Sequence, residues 1–403
     1  MKFATKTTIA LAIVAALLSF VKFNHCRNYG WGQPDEYVHA CYSDIPSLFD
    51  SRGMNHHQWP YSSATNSVEY PPITGVVMWV TSNWVRDYKH IYRNYFDLNA
   101  IFIALLFIGS VYLLSRSRPK SWYYFAFAPA VLASLYINWD IWAVITSIAA
   151  IHLFEKRRYE LSAVALGVSI ATKFFPIVFL LPAALIFWRR NEIARGAKYF
   201  FFTAMTWLVI NAPFILTTPK GWARFFTMNS GRGADWGSLW IALKFFGGDV
   251  AHLNSDWILL FLAAVIAYCI YVFKSEEEIN FAQGAFIILA AFTALGKVYS
   301  PQYVVLLTPI AVMALSKRGD VRESREIVGF WIWQGSELIY HFAIWQYFAG
   351  IMGAHFGLPA SWYAWACLVR IAGVATFIFT LTRKSTAALP PQGDQFPASA
   401  VSG

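Results

Sequence analysis

The sequence predicts an all-α, polytopic membrane protein. Three observations carry this. Of 403 residues, 57% are hydrophobic and only 13% are charged, against roughly 25% charge in a soluble domain. The apolar residues fall in repeated blocks of near-spanning length. The basic residues sit in short clusters between those blocks. The net charge of +10 therefore describes membrane-flanking loops and not a nucleic-acid surface. Membrane lipids are the expected surroundings, and nucleic acid is excluded as a partner.

Taken in order, Lys2 and Lys6 precede the first apolar run. That run reads as an uncleaved signal anchor, because Asn24-His25-Cys26 is a poor cleavage site. The remaining basic clusters are Arg116/Arg118/Lys120, Lys156/Arg157/Arg158, Arg189/Arg190/Arg195/Lys198, Lys317/Arg318/Arg322/Arg325 and Arg383/Lys384. Basic loops prefer the cytoplasm. All of these face it together if 71–85, a short stretch dotted with Thr74, Thr81, Ser82 and Asn83, lies flat as an outer interfacial helix. The spans then fall at 7–22, 97–115, 121–137, 141–154, 159–172, 175–188, 199–216, 255–273, 279–295, 301–315, 327–345 and 362–382. That makes about twelve, with both termini inside.

Several of these blocks are shorter than the ~20 residues of a full span. The stretch 159–188 is broken by Lys173 and Pro176, so the break must face water or protein. Two large outer loops result, 23–96 and 217–254. The second holds Gly231, Gly233, Gly237, Gly247 and Gly248 and is expected to be mobile. Residues 1–384 read as one integral unit, with a disordered cytoplasmic tail at 385–403. No internal repeat is visible. Cys26 and Cys41 share the first outer loop, and the sequence leaves open whether they pair or stay free.

With sidedness fixed from Lys and Arg alone, the unusual polar residues collect at outer ends of spans: Asp44, Glu69, Asn138, Asp140, Lys173, Lys297, Ser300 and Gln302. This points to an extracytoplasmic active site on a multi-pass plasma-membrane protein. Asp44 is the candidate general base, and Asp35 and Glu36 are the alternative. Glu69, ahead of Tyr70-Pro71-Pro72, suits a sugar hydroxyl or a cation. Asp140 suits the same roles or a structural pair with Lys173. Lys173 and Lys297 are outer cations fit for a phosphate, or else snorkelling side chains. Glu337 and His341 lie one helical turn apart on a shared face; they could hydrogen-bond to each other and are candidate substrate-binding residues, or else form a satisfied interhelical pair. No metal site is evident, although a divalent metal cofactor is left open. Phosphate-binding loops and dinucleotide fingerprints are absent from the sequence, which argues against a nucleotide-sugar donor.

Five strings resemble glycosyltransferase family 87, the actinobacterial polyprenyl-phosphate-mannose-dependent alpha-mannosyltransferases. They are Cys41-Tyr42-Ser43-Asp44-Ile45, Val68-Glu69-Tyr70-Pro71, Asn138-Trp139-Asp140, Thr172-Lys173-Phe174-Phe175-Pro176 and Lys297-Val298-Tyr299-Ser300-Pro301-Gln302-Tyr303. The resemblance runs from about residue 30 to residue 345. Pro72 departs from it, standing where relatives often carry a small aliphatic residue.

The resemblance implies a C-type glycosyltransferase fold, with a catalytic acid in the first outer loop and interfacial helices beside it. By position, Asp44 matches that aspartate, Asp140 the second outer acid, and Lys173 and Lys297 the donor-phosphate cations. The implied activity is inverting transfer of a hexose, mannose first, from a polyprenyl-phosphate-sugar to a hydroxyl of a cell-envelope glycolipid or glycan. Two alternatives stand beside it: arabinofuranose on the same carrier, and a transporter or flippase for a lipid-linked sugar.

Overall fold

The computed structural model describes residues 2–86, 88–316 and 321–383, and among these every regular element is helical. The tail expected to be disordered, 385–403, lies outside the described residues, as do Lys317, Arg318 and Lys384.

The first apolar run forms α1 (Lys2–Lys22). A cap of short helices follows: α2 (Asn24–Tyr29), α3 (Asp35–Val38), α4 (Asp44–Ser51) and α5 (Pro72–Trp84). Ser43 starts α4 as its N-cap, its hydroxyl accepting from the Ile45 N–H. Pro71 and Pro72 open α5 where a missing N–H costs nothing. Next come α6 (Ile91–Ser117), α7 (Tyr123–Ala126), α8 (Pro129–Ser134), α9 (Ile141–Glu155), α10 (Tyr159–Thr172), α11 (Leu180–Arg189) and α12 (Ile193–Thr217). The chain continues through α13 (Pro219–Gly231), α14 (Leu239–Phe245), α15 (Leu253–Lys274), α16 (Phe281–Leu295), α17 (Tyr303–Ala314), α18 (Val321–Ile351) and α19 (Ala360–Thr382).

Among the described residues, five helices are long and apolar enough to cross a membrane: Thr5–Lys22, α6, α12, α15 and α19. Shorter apolar helices pack among them. α12 and α15 expose Val209, Leu216, Leu259 and Ile266 on their outer faces, surfaces that lipid rather than water would cover. The core is α17, whose residues are buried on every side, with α8, α9 and α16 around it.

One expectation needs correction. The block 121–137 is not one helix. Pro129 holds Ala128 extended (ψ 121°), as a residue before proline prefers, and this separates α7 from α8. The loop 217–254 holds regular structure. It carries α13 and α14, and two of its glycines, Gly221 and Gly237, sit in close packing, whereas Gly231, Gly233 and Gly247 have open space around them. A Cβ at Gly221 would run into the Tyr61 backbone, and one at Gly237 (φ +76°) into the Tyr299 carbonyl and the Tyr340 hydroxyl.

The two ends of the bundle differ. At one end the basic loops interlock. Arg118 pairs with Glu155 and donates to the Met313 carbonyl. Arg189 donates to the carbonyls of Ser275 and Glu277, Lys198 pairs with Glu160, and Arg325 donates to the Arg383 carbonyl. At the other end the cap is stitched to span ends. Asp44 N–H donates to the Ile137 carbonyl at 2.7 Å, and the Arg224 guanidinium to the Ser67 carbonyl at 2.6 Å. α5 stays at this end: Thr74 near its start donates to the Thr172 carbonyl, and Thr81 near its finish to the Asn99 side chain.

Candidate active site

The cap end encloses a cavity of about 390 Å3. Asp44, Glu69, Asn138, Lys173, Ser300 and Gln302 all line it. They come from α4, from the strap before α5, from the α8–α9 and α10–α11 corners and from the segment leading into α17. Each is delivered where a helix starts or stops, because only there does a polar side chain leave the apolar packing.

Asp44 is the first residue of α4. The Tyr42 hydroxyl donates to its Oδ1 at 2.8 Å, and the Gln302 amide and Tyr70 hydroxyl approach Oδ2 at 3.4 and 3.5 Å. Burial pushes its pKa up to about 6; the Tyr42 hydrogen bond and the Lys173 charge oppose this, and the Asp140 and Glu69 charges reinforce it. Such a carboxylate is poised to take a proton near neutrality. Tyr37 and Tyr42 pack against Trp345 to form an aromatic wall beside it.

Lys173 pairs with Asp140 behind the cavity wall, and its ammonium also faces the rings of Tyr303 and Phe175. Asp140 Oδ2 and Asn138 Nδ2 are both buried and have no hydrogen-bond partner. Asn138 itself is 2% exposed and lines the cavity. A buried donor left open beside a cavity is a place for a ligand's oxygen.

Lys297 lies next door, in a smaller cavity of about 190 Å3 that it shares with Arg232. Its ammonium donates to the Ser230 carbonyl and to Asn254 Oδ1, both at 2.8 Å. Those partners are neutral, so its charge is balanced by neither. Burial first, and the Arg232 charge second, pull its pKa down. A third, almost wholly apolar cavity of about 650 Å3 continues along α10, α12 and α13. Phe174 borders all three cavities.

Other expected residues stand apart. Glu69 lines the cavity but is held by Arg52 through two hydrogen bonds of 2.6 and 2.8 Å. Glu36 is buried beside the wall, with its pKa pushed up to about 7 mainly by burial, and Asp35 faces outward between His25 and His39. Glu337 and His341 do not bond each other; of the two readings, each takes the one of a residue satisfied across helices. Glu337 accepts from Tyr299, Trp333 and Arg370. His341 bonds to Ser134 and Trp345. Neither lines the cavity.

The sequence reading missed Arg232 and Asp235. They pair at 2.6 Å and both line the cavity. Their i, i+3 spacing was visible, but a glycine-rich segment gave no reason to place them. Cys26 and Cys41 are joined by a disulfide, which closes the alternative left open.

The model of glycosyltransferase family 87 matches residues 69–295, more than half of the chain. The chain belongs to glycosyltransferase family 87. It is therefore a membrane glycosyltransferase, and family membership decides for an enzyme over a transporter. The match contains Glu69, Asn138, Asp140 and Lys173, whereas Asp44, Ser300 and Gln302 fall outside it. No curated protein matches the chain.

Proposed function

We propose that this glycosyltransferase moves a hexose, mannose by preference, from a polyprenyl-phosphate carrier to a hydroxyl of a cell-envelope glycolipid or glycan, with inversion. Asp44 carries the proposal: a carboxylate with a raised pKa, held by two tyrosines and a glutamine on the wall of a cavity that also presents cations.

The chemistry balances simply. The acceptor oxygen attacks the anomeric carbon while its proton passes to Asp44. The bond from that carbon to the phosphate oxygen breaks, and polyprenyl phosphate leaves with the electron pair. Lys173, Lys297 and Arg232 are placed to offset the charge gained by the phosphate. An ammonium has three donors, so Lys173 can serve a ligand while keeping Asp140. Asn138 and Gln302 orient sugar hydroxyls, and Ser300 supports that wall. The apolar cavity adjoining the cations suits a prenyl chain.

The proposal includes a C-type glycosyltransferase fold with about twelve crossings and interfacial helices at the cap. It sets the cap outside the plasma membrane, because the basic loops gather at the opposite end and the disulfide suits an oxidising compartment. A purified sample given labelled polyprenyl-phosphate-mannose and a lipid extract should yield a labelled glycolipid or glycan. If the donor is left intact in every acceptor fraction, the proposed donor is wrong.

A further inference from the structure

Outside the cavity, at the far edge of the cap, two histidines and an aspartate converge. His25 on α2 places Nε2 2.7 Å from Asp35 Oδ2, and His39, just past α3, places Nδ1 3.1 Å from Asp35 Oδ1. One ligand atom from each residue lies within 4.8 Å of the other two. The imidazoles stack with centroids 3.5 Å apart. None of the three lines the active-site cavity.

The scaffold holds these groups in place independently of any ion. Cys26 follows His25, and Cys41 lies two positions beyond His39. Their disulfide brings the two Cα atoms to 5.9 Å. α2 and α3 are therefore fastened together, and little chain entropy remains to be lost on binding. The side chains are 31%, 45% and 43% exposed, so water can reach an open coordination position. Two imidazoles and a carboxylate select zinc and its neighbours over calcium or magnesium, which demand oxygen ligands. Three protein ligands with an open fourth position is an ordinary zinc arrangement.

We propose that His25, Asp35 and His39 bind one zinc-class divalent metal, completed by water, which clasps α2 to α3. The consequence for the enzyme is mechanical. α3 carries Tyr37 into the cavity wall and packs on α18, so the ion braces that wall from outside. The site does not depend on which sugar is transferred, and a failed transfer assay leaves it standing.

The test uses full-length protein without a polyhistidine tag, stripped by chelator in detergent. Zinc should bind with a stoichiometry of one and raise the melting temperature, whereas magnesium should do neither. Cobalt should give visible ligand-field bands. His25→Gln with His39→Gln should abolish the bands and the bound equivalent, and either change alone should weaken binding by more than the ~10–100-fold typical of outer-shell partners. His355→Gln should change nothing. Retention of zinc by the double variant, or none held by the wild type, overturns the proposal. Should the double variant fail to fold, X-ray absorption on the wild-type zinc form decides. Two imidazoles in the first shell support the site, and oxygen alone refutes it.

Discussion

Among the described residues, two cation–carboxylate pairs with both side chains buried stand out, and they differ in how completely they are satisfied. Arg370 and Glu337, 0% and 1% exposed, sit in a closed network. Glu337 accepts from Tyr299, Trp333 and Arg370, while Arg370 donates to the carbonyls of Tyr299 and Ser300 and stacks between the rings of Tyr299 and Tyr340. Lys173 and Asp140 sit in an open one. Lys173 reaches the cavity, and Asp140 Oδ2 and the neighbouring Asn138 Nδ2 are unpartnered. A closed network holds the chain in place. An open one leaves a free donor, Asn138 Nδ2, on a residue that lines the cavity, where a ligand can complete it. The first pair pins the Tyr299-Ser300 backbone that leads to Gln302, so the two work in series.

Asp44, the proposed base beside the open pair, should show the largest effect. Asp44→Asn should cut transfer by about 10²–10⁴-fold with the helical content unchanged, measured as turnover in membranes. Wild-type turnover would remove Asp44 from the mechanism. The pH profile sharpens this. Asp44 must be unprotonated to act, so the rate should fall as pH drops through about 6. The sign for stability is opposite. A folded pKa above the usual carboxylate value favours the fold at low pH, and that contribution is lost as pH rises through about 6. Asp44→Asn should therefore melt slightly higher than wild type at neutral pH.

Next comes the closed pair. Arg370→Met leaves the Glu337 charge buried without its partner, and should cost about 3–5 kcal/mol of stability, read as a lowered melting temperature in detergent. An unchanged melt would erase the contrast between the pairs. Lys173→Met tests the other side. It should reduce turnover by about 10²–10³-fold, the range for losing one preorganised charge-stabilising group, with a smaller loss of stability than Arg370→Met. The reverse ranking would make Lys173 the structural cation. Smallest of all, Asn138→Ala should lower turnover by about tenfold, as expected for a substrate hydrogen bond of roughly 1.5 kcal/mol. Its melt should fall by a modest amount, because Nδ2 has no internal partner to lose but Oδ1 accepts from the buried Asp140 N–H at 2.9 Å.

How far the sequence reached is clearest at these same residues. Asn138, Lys173 and Gln302 were readable because each interrupts an apolar block at its end, where the topology left no other place for polarity. Glu337 looked equally promising and is instead a strut. Its partner Arg370 is 33 positions away on another helix, and no spacing rule links them. Arg232 and Asp235 were missed because their segment has no periodicity until α13 and α14 fold around it. The break between α7 and α8 turns on Pro129, which composition averages into an apolar block. His25, Asp35 and His39 come together because a disulfide folds the loop back, and that pairing was an open alternative in the sequence.

α17 runs from Tyr303 to Ala314 with no face open to solvent or lipid, and it begins at the very corner that presents Gln302. An enclosed rod of this kind tolerates no change of volume without an answering change next door. Variation around the cavity is thereby steered away from α17 and toward the opposite rim, where α13 and the stretch after it are more exposed. Libraries intended to retune this enzyme should place their diversity there and leave the rod alone.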